Sequence, residues 1–204
     1  HNADTILEQV GIEFRNYPRA LKLLAEAGAD VIKIDPDCRP DGFRQHPDLY
    51  HHLNGEKEVV DLDLRSGRHR RHFERLLRRA DLVIESFSRR VMPNLGYGST
   101  QLAKLAPRLK TLSIKAFPIR TPEQDWLAFG PGVHAASGLG IRDSQPQTVP
   151  VAYPDFLTGV AGFTAAIELL AAADNAQRST EVTLLESILP LVPRAAQPQR
   201  EARL

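Results

Sequence analysis

The chain of 204 residues holds a single cysteine, Cys38, so no disulfide can form within it and a reducing, cytoplasmic setting is expected. No apolar run approaches the roughly 20 residues that span a bilayer, and no membrane partner is expected. The start, His1-Asn2-Ala3-Asp4, offers neither an apolar signal core nor an initiator Met, which reads as a processed chain or a fragment. Neither charge sign is in excess. A net charge of +1 gives no global attraction to nucleic acid or to an anionic membrane. The patterns GxGxxG, HExxH and GxSxG are all missing, so no nicotinamide or flavin cofactor, no zinc and no hydrolase elbow is expected.

What is there is an ordinary globular composition, 42% hydrophobic and 25% charged, in a length suited to one generous domain or part of a larger one. Strand and helix patterns alternate. Ile6 to Val10 reads as a first strand, followed by a turn over Gly11 to Tyr17. Pro18 opens a helix whose Leu21, Leu24 and Ala25 fall at helical spacing, and Gly28 stops it. Asp30 to Asp35 is a buried strand, Pro36 to Gly42 a loop, Glu58 to Leu64 an alternating strand, and His72 to Arg79 a helix. Leu82 to Ile84 and Leu109 to Ile114 read as strands, with a helix from a Ser99 cap to Ala106 between them. A Pro-rich loop spans Phe117 to Pro131. Helices follow at His134 to Ser137 and from Asp155 to about Ala173, the latter with an apolar stripe of Phe156, Val160, Phe163, Ile167 and Leu170. Strands separated by helices imply an α/β fold: a Rossmann-like, mainly parallel sheet flanked by helices. Residues 1–189 read as the domain, and 190–204, rich in Pro, Arg, Gln and Ala, as loop or disordered tail.

Several residues invite a chemical reading. The arginines from Arg65 to Arg79 read as a solvated helix face, because no aromatics interleave with them to stack bases. His46, His51, His52, His69 and His72 have no metal-ligand spacing and read as surface histidines. Asp35, after the second strand, stands where a dinucleotide fold would hold a ribose. Asp155 opens the long apolar helix, where the helix dipole favours an ionised carboxylate. From local sequence alone, a helix-capping aspartate is the better reading of Asp155.

Longer segments carry more information. Leu23 to Pro36 is similar to LLADLGADVIKVEPP, Asn54 to Lys57 with Val60 to Arg65 to NRGK…LDLK, and Ala80 to Phe87 to ADVVIENF. Leu95 to Leu109 resembles LGLGYEQL…NPRL, and Ala136-Ser137-Gly138-Leu139 and Pro154 to Gly159 stand where ASGL and aDxxTG segments would be. In this order, from about Ile6 to Glu186, the segments resemble the class III CoA-transferase family. The resemblance implies the large-domain portion of such an enzyme, an acyl-CoA and a carboxylic acid as substrates, and no tightly bound cofactor or metal. It implies that Asp155 is the covalent nucleophile. By matching position, Arg65 and Lys115 would face the phosphates of CoA or the acyl end. Phe87 would line the CoA groove, and Asp35 and Arg39 would flank the adenine and ribose. It further implies a homodimer or a complementing subunit, because family members are longer and this chain matches only their N-terminal part.

The departures fall on loops. Tyr17 replaces a glycine before the first helix, Arg89-Arg90 replaces a Pro-Gly, and Ala116 and Pro118 replace two glycines. Gly130 replaces a frequent Asp, and Phe129 stands where an α-methylacyl-CoA racemase would have His. Three expectations follow: CoA transfer between an acyl-CoA and a carboxylate, racemisation on the same scaffold, or a non-catalytic, transferase-like subunit.

Overall fold

The computed structural model describes residues 11–14, 18–142, 145–146, 152–173 and 178–192. Among them, six strands form one sheet: β1 (Gly11–Phe14), β2 (Val31–Ile34), β3 (Glu58–Val60), β4 (Leu82–Glu85), β5 (Lys110–Lys115) and β8 (Ser179–Thr183). The order is β3-β2-β1-β4-β5-β8, and every pairing is parallel. The order reverses direction between β1 and β4, the topological switch point of a doubly wound sheet. A two-stranded antiparallel ribbon, β6 (Ile141–Arg142) with β7 (Gln145–Pro146), lies apart from the sheet.

Strand alternation divides the core in two. Leu82 and Ile84 of β4 face one side and Val83 the other, as a period of two demands. On the first side the sheet is covered by α1 (Pro18–Glu26), α6 (Gly130–Ala136), α7 (Tyr153–Ala171) and α8 (Leu184–Ile188). On the second it meets α3 (Gly67–Arg79), α4 (Val91–Asn94) and α5 (Ser99–Leu105); α2 (Pro47–Asn54) packs on α1. Leu21 and Leu24 of α1 are buried, each contributing about 1.5–3 kcal/mol of transfer free energy. Gly28 ends α1 with φ +94°, and the turn is closed by Ala29 N donating to Leu24 O at 3.0 Å. On α3, Phe73 and Leu77 are buried, while Arg68, Arg71, Arg75, Arg78 and Arg79 are exposed, the solvated face the sequence suggests.

Other expectations are corrected. Ile6 to Val10 lies outside the described residues; the strand that pairs with β2 and β4 is Gly11–Phe14, where a turn was expected. A four-residue strand held by neighbours on both sides takes its bounds from pairing, which local sequence does not encode. The third strand ends at Val60, and Leu62 and Leu64 are buried from the connection that follows. Gly98, not Ser99, is the N-cap of α5.

The largest correction concerns α7. Phe156 and Val160 of the expected stripe are 47% and 57% exposed, whereas Phe163 and Ile167 pack partly buried on the core and Leu170 is buried; the other buried positions are Pro154, Thr158, Gly159, Gly162, Ala166 and Leu169. Small residues face inward because α1 lies so close. A Cβ added at Gly159 would stand 2.9 Å from the Cβ of Arg19, and one at Gly162 would stand 3.3 Å from Ala20 Cβ. By length and composition α7 could also cross a membrane, but it packs on α1, α6, α8, β5 and β8.

Candidate active site

Parallel strands gather their C-terminal ends on one edge, and ligands of open α/β sheets bind there. In this chain that edge holds a cavity of about 400 Å³. Ser86, Phe87, Ser88 and Arg89 enter it from the turn after β4, Lys115 and Ala116 from the end of β5, and Leu184 from the end of β8. The loop Gln124 to Phe129 forms a wall, Arg39 reaches it from the loop after β2, and Asp155 lines it from α7. Four of the six residues expected from sequence, Arg39, Phe87, Lys115 and Asp155, are therefore brought together. Asp35 and Arg65 do not line the cavity.

Asp155 is the third residue of α7, not its cap. The N-cap is Ala152, whose carbonyl accepts from the Asp155 amide at 3.0 Å. The Asp155 side chain thus sits in the first turn of a helix of 19 residues, where the dipole favours the anion. Its place is fixed from below. Pro154 is buried, Thr158 is fully buried with its hydroxyl donating to Pro154 O at 2.6 Å, and Gly159 presses on α1. The carboxylate rests against the start of α6, where a Cβ added at Gly130 would stand 1.9 Å from Oδ2.

Lys115 is 8% exposed, and its ammonium is committed. Nζ donates to Glu85 Oε1 at 2.5 Å and to Phe87 O at 2.7 Å. Glu85 in turn accepts from the Phe87 amide at 3.0 Å, so the buried pair folds the β4 turn and aims Phe87. Burial pushes the Lys115 ammonium below its ordinary pKa, and the facing Glu85 opposes that shift.

In the sequence, Arg89 marks only the loss of a Pro-Gly. Here it is a clamp. Its guanidinium pairs with both carboxylate oxygens of Glu181 on β8 and donates to Phe117 O at 2.9 Å and Gln124 O at 3.1 Å. The Glu181 hydrogen bonds raise its pKa further. Its partners lie 28, 35 and 92 residues away, so no local signal could have revealed the role.

The two residues outside the cavity have other work. Asp35 is 2% exposed and accepts from Asp41 N, Arg44 Nε and Tyr50 Oη at 2.8–2.9 Å, bracing the loop after β2. Beneath it, Lys33 pairs with Asp41, both buried. Arg65 is 72% exposed and forked onto Asp63 at 2.9 Å, which lowers Asp63 to about 2. Of the histidines, His46, His51, His52 and His72 are exposed, while His69 Nδ1 accepts from the Asp63 amide at 2.9 Å.

The loop over the cavity is unusual in what it exposes. Trp126, Leu127 and Phe129 are 60%, 79% and 74% exposed. Trp126 is anchored edge-on to the buried Phe117 ring, centroids 5.9 Å apart. Phe129 immediately precedes Gly130, so this apolar rim begins beside the Asp155 carboxylate.

Known proteins give this geometry its context. The chain is 32% identical, over 80% of its length, to a succinate–glutarate CoA-transferase of Agrobacterium fabrum. It is 27% identical, over 88%, to a formyl-CoA:oxalate CoA-transferase of Escherichia coli. It spans 45% of the length of each of these curated relatives. Its fold is similar to the crystal structures of a hypothetical protein from Mycobacterium tuberculosis (TM-score 0.81, 24% identity, 90% of this chain and 55% of that one) and of a CAIB/BAIF family protein from Brucella suis (TM-score 0.80, 22% identity, 90% and 54%). A family model described as CoA-transferase family III matches residues 14–200, and the chain belongs to that family.

Proposed function

We propose that the chain carries the nucleophilic half of an acyl-CoA:carboxylate CoA-transferase working through a covalent aspartyl-CoA intermediate on Asp155. One observation carries this reading: a carboxylate in the first turn of α7 lines the cavity at the strand ends, within the segment that resembles the family's aDxxTG. The names of the relatives, both CoA-transferases, support the same chemistry.

The steps need no general base. An Asp155 oxygen attacks the thioester carbon, the C–S bond breaks, and a mixed anhydride and CoA thiolate form. The thiolate attacks the aspartyl carbonyl, which releases the first carboxylate and leaves an aspartyl-CoA thioester. The acceptor carboxylate attacks that thioester and expels the thiolate again. The thiolate then takes the acceptor's acyl carbon, and the Asp155 carboxylate is regenerated. Backbone N–H groups at the start of α7 supply partial positive charge for the developing oxyanions.

In this reading Phe87 lines the pantetheine groove, and Lys115 holds Phe87 in place through Glu85. Arg39 serves the phosphates, joined by Arg65 when it exchanges Asp63 for a phosphate oxygen. Asp35 acts on the nucleotide end through the loop it braces. The exposed apolar face of α7, with Tyr153, Phe156 and Val160 at 49%, 47% and 57% exposure, supports a homodimer or a complementing subunit. The exposed lone thiol of Cys38 suits the cytoplasm.

The test is trapping. Incubation with an acyl-CoA and hydroxylamine should convert Asp155 to a hydroxamate found by peptide mass spectrometry, and Asp155→Asn should abolish it. No modification at Asp155, together with no CoA binding by calorimetry, would overturn the proposal.

A further inference from the structure

The electrostatics of the cavity bear on which acyl group it takes. Three cations line it: Arg39, Arg89 and Lys115. Two of them are neutralised from behind, Lys115 by the buried Glu85 and Arg89 by Glu181. Arg39, on an exposed loop, lines the same cavity together with the carboxylates of Asp125 and Asp155. A substrate carrying a second carboxylate would have to bring it into a cavity whose inner cations already have carboxylate partners. Desolvating an anion without a dedicated cation is costly.

The apolar lining points the other way. Phe87, Ile114, Trp126, Leu127, Phe129 and Leu184 surround the space, and the rim residues Trp126, Leu127 and Phe129 stand mostly in water. Large apolar side chains held exposed around a concave site mark a place where an apolar ligand binds. Chain connectivity sets this rim beside the reacting carboxylate, because Phe129 is joined to Gly130 and Gly130 touches Asp155.

We infer that the acyl group handled at Asp155 has an apolar body, branched aliphatic, longer-chain or aromatic, and carries no second carboxylate. This rests on the CoA-transfer reading and names the substrate class of the same site. Leu127 and Phe129 are its specificity-determining residues. They cover the acyl body as it binds and leave the phosphates and pantetheine to other parts of the groove.

The experiment measures binding of free CoA, butyryl-CoA, hexanoyl-CoA, phenylacetyl-CoA and succinyl-CoA to the whole chain by calorimetry. It is repeated on Phe129→Ser and Leu127→Ser, with the oligomeric state followed by light scattering. Affinity should rise by up to about fourfold per methylene from butyryl to hexanoyl. Hexanoyl-CoA and phenylacetyl-CoA should bind at least tenfold tighter than succinyl-CoA. The two variants should lose that advantage while binding free CoA like the wild type.

Succinyl-CoA binding as tightly as hexanoyl-CoA, with CoA binding intact, would overturn the inference and leave CoA transfer standing. No binding of CoA or of any thioester would remove both. Variants that shift a dimer toward monomer without altering acyl preference would assign the rim to a second copy and likewise overturn it.

Discussion

The Asp155 carboxylate and the Cα of Gly130 are packed against each other, α7 to α6, so closely that a methyl group on Gly130 would come within 1.9 Å of Oδ2 and 2.7 Å of Cγ. Gly130 does not have a positive φ, so close approach, not backbone conformation, calls for glycine there. The position that carries a frequent Asp in the resembled family is here empty of side chain, and the carboxylate of Asp155 takes the space.

Gly130→Ala should therefore separate folding from chemistry. The closest atoms belong to a rotatable side chain, with Ala152 Cβ 3.0 Å away, so the carboxylate swings aside and stability falls by about 1–3 kcal/mol, read from urea unfolding. The displaced nucleophile should react about 100-fold more slowly in the hydroxylamine assay, the scale expected for a misplacement near 1 Å. Loss of stability without loss of trapping would show that Gly130 does not place Asp155.

The Lys115–Glu85 pair should behave as a buried ion pair. Lys115→Met strands the Glu85 carboxylate, 7% exposed, and should cost about 3–5 kcal/mol in denaturant unfolding. Adding Glu85→Gln should restore most of that loss, because the second substitution removes the unpaired charge. If the double variant is as unstable as the single one, the pair's role is packing.

Asp63 supplies a pH signature. Arg65 holds its pKa at about 2, below the ordinary 3.8. The folded-state value is depressed, so the Asp63–Arg65 contribution is present above pH 3.8 and is lost as pH falls through 2. Carbon-detected NMR titration should place the Asp63 midpoint near 2, and Arg65→Ala should return it toward 3.8. A wild-type midpoint at the ordinary value would show that the pair does not hold in solution.

Much of this chain was legible locally, and particular residues show why. Gly28 could be read as a helix stop because an αL turn is a property of one residue. Val31 to Ile34 and Leu82 to Ile84 could be read as strands because β-branched and aliphatic runs of that length are buried whatever surrounds them. β8, Ser-Thr-Glu-Val-Thr at the sheet edge, has no such run, so its sequence carries no strand signal of that kind. On α7, the large apolar residues Phe156 and Val160 carry the local helical signal, yet Thr158, Gly159 and Gly162 face the core. Helix periodicity shows where apolar groups recur; it does not show that α1 will approach closely enough to admit only small side chains.

The α/β alternation, the family resemblance and the placing of Asp155 at a helix start are encoded locally, since these depend on residues near one another in the chain. The tertiary structure decided what surrounds that carboxylate. It set Gly130 beneath Asp155 from 25 residues away, tied Lys115 to Glu85 across two strands, and turned Arg89 onto Glu181 across 92 residues. A cation's availability to a ligand depends on which carboxylate the fold brings to it. For Lys115 and Arg89 that partner lies on another strand, so the apolar character of the cavity became readable only once the chain was folded.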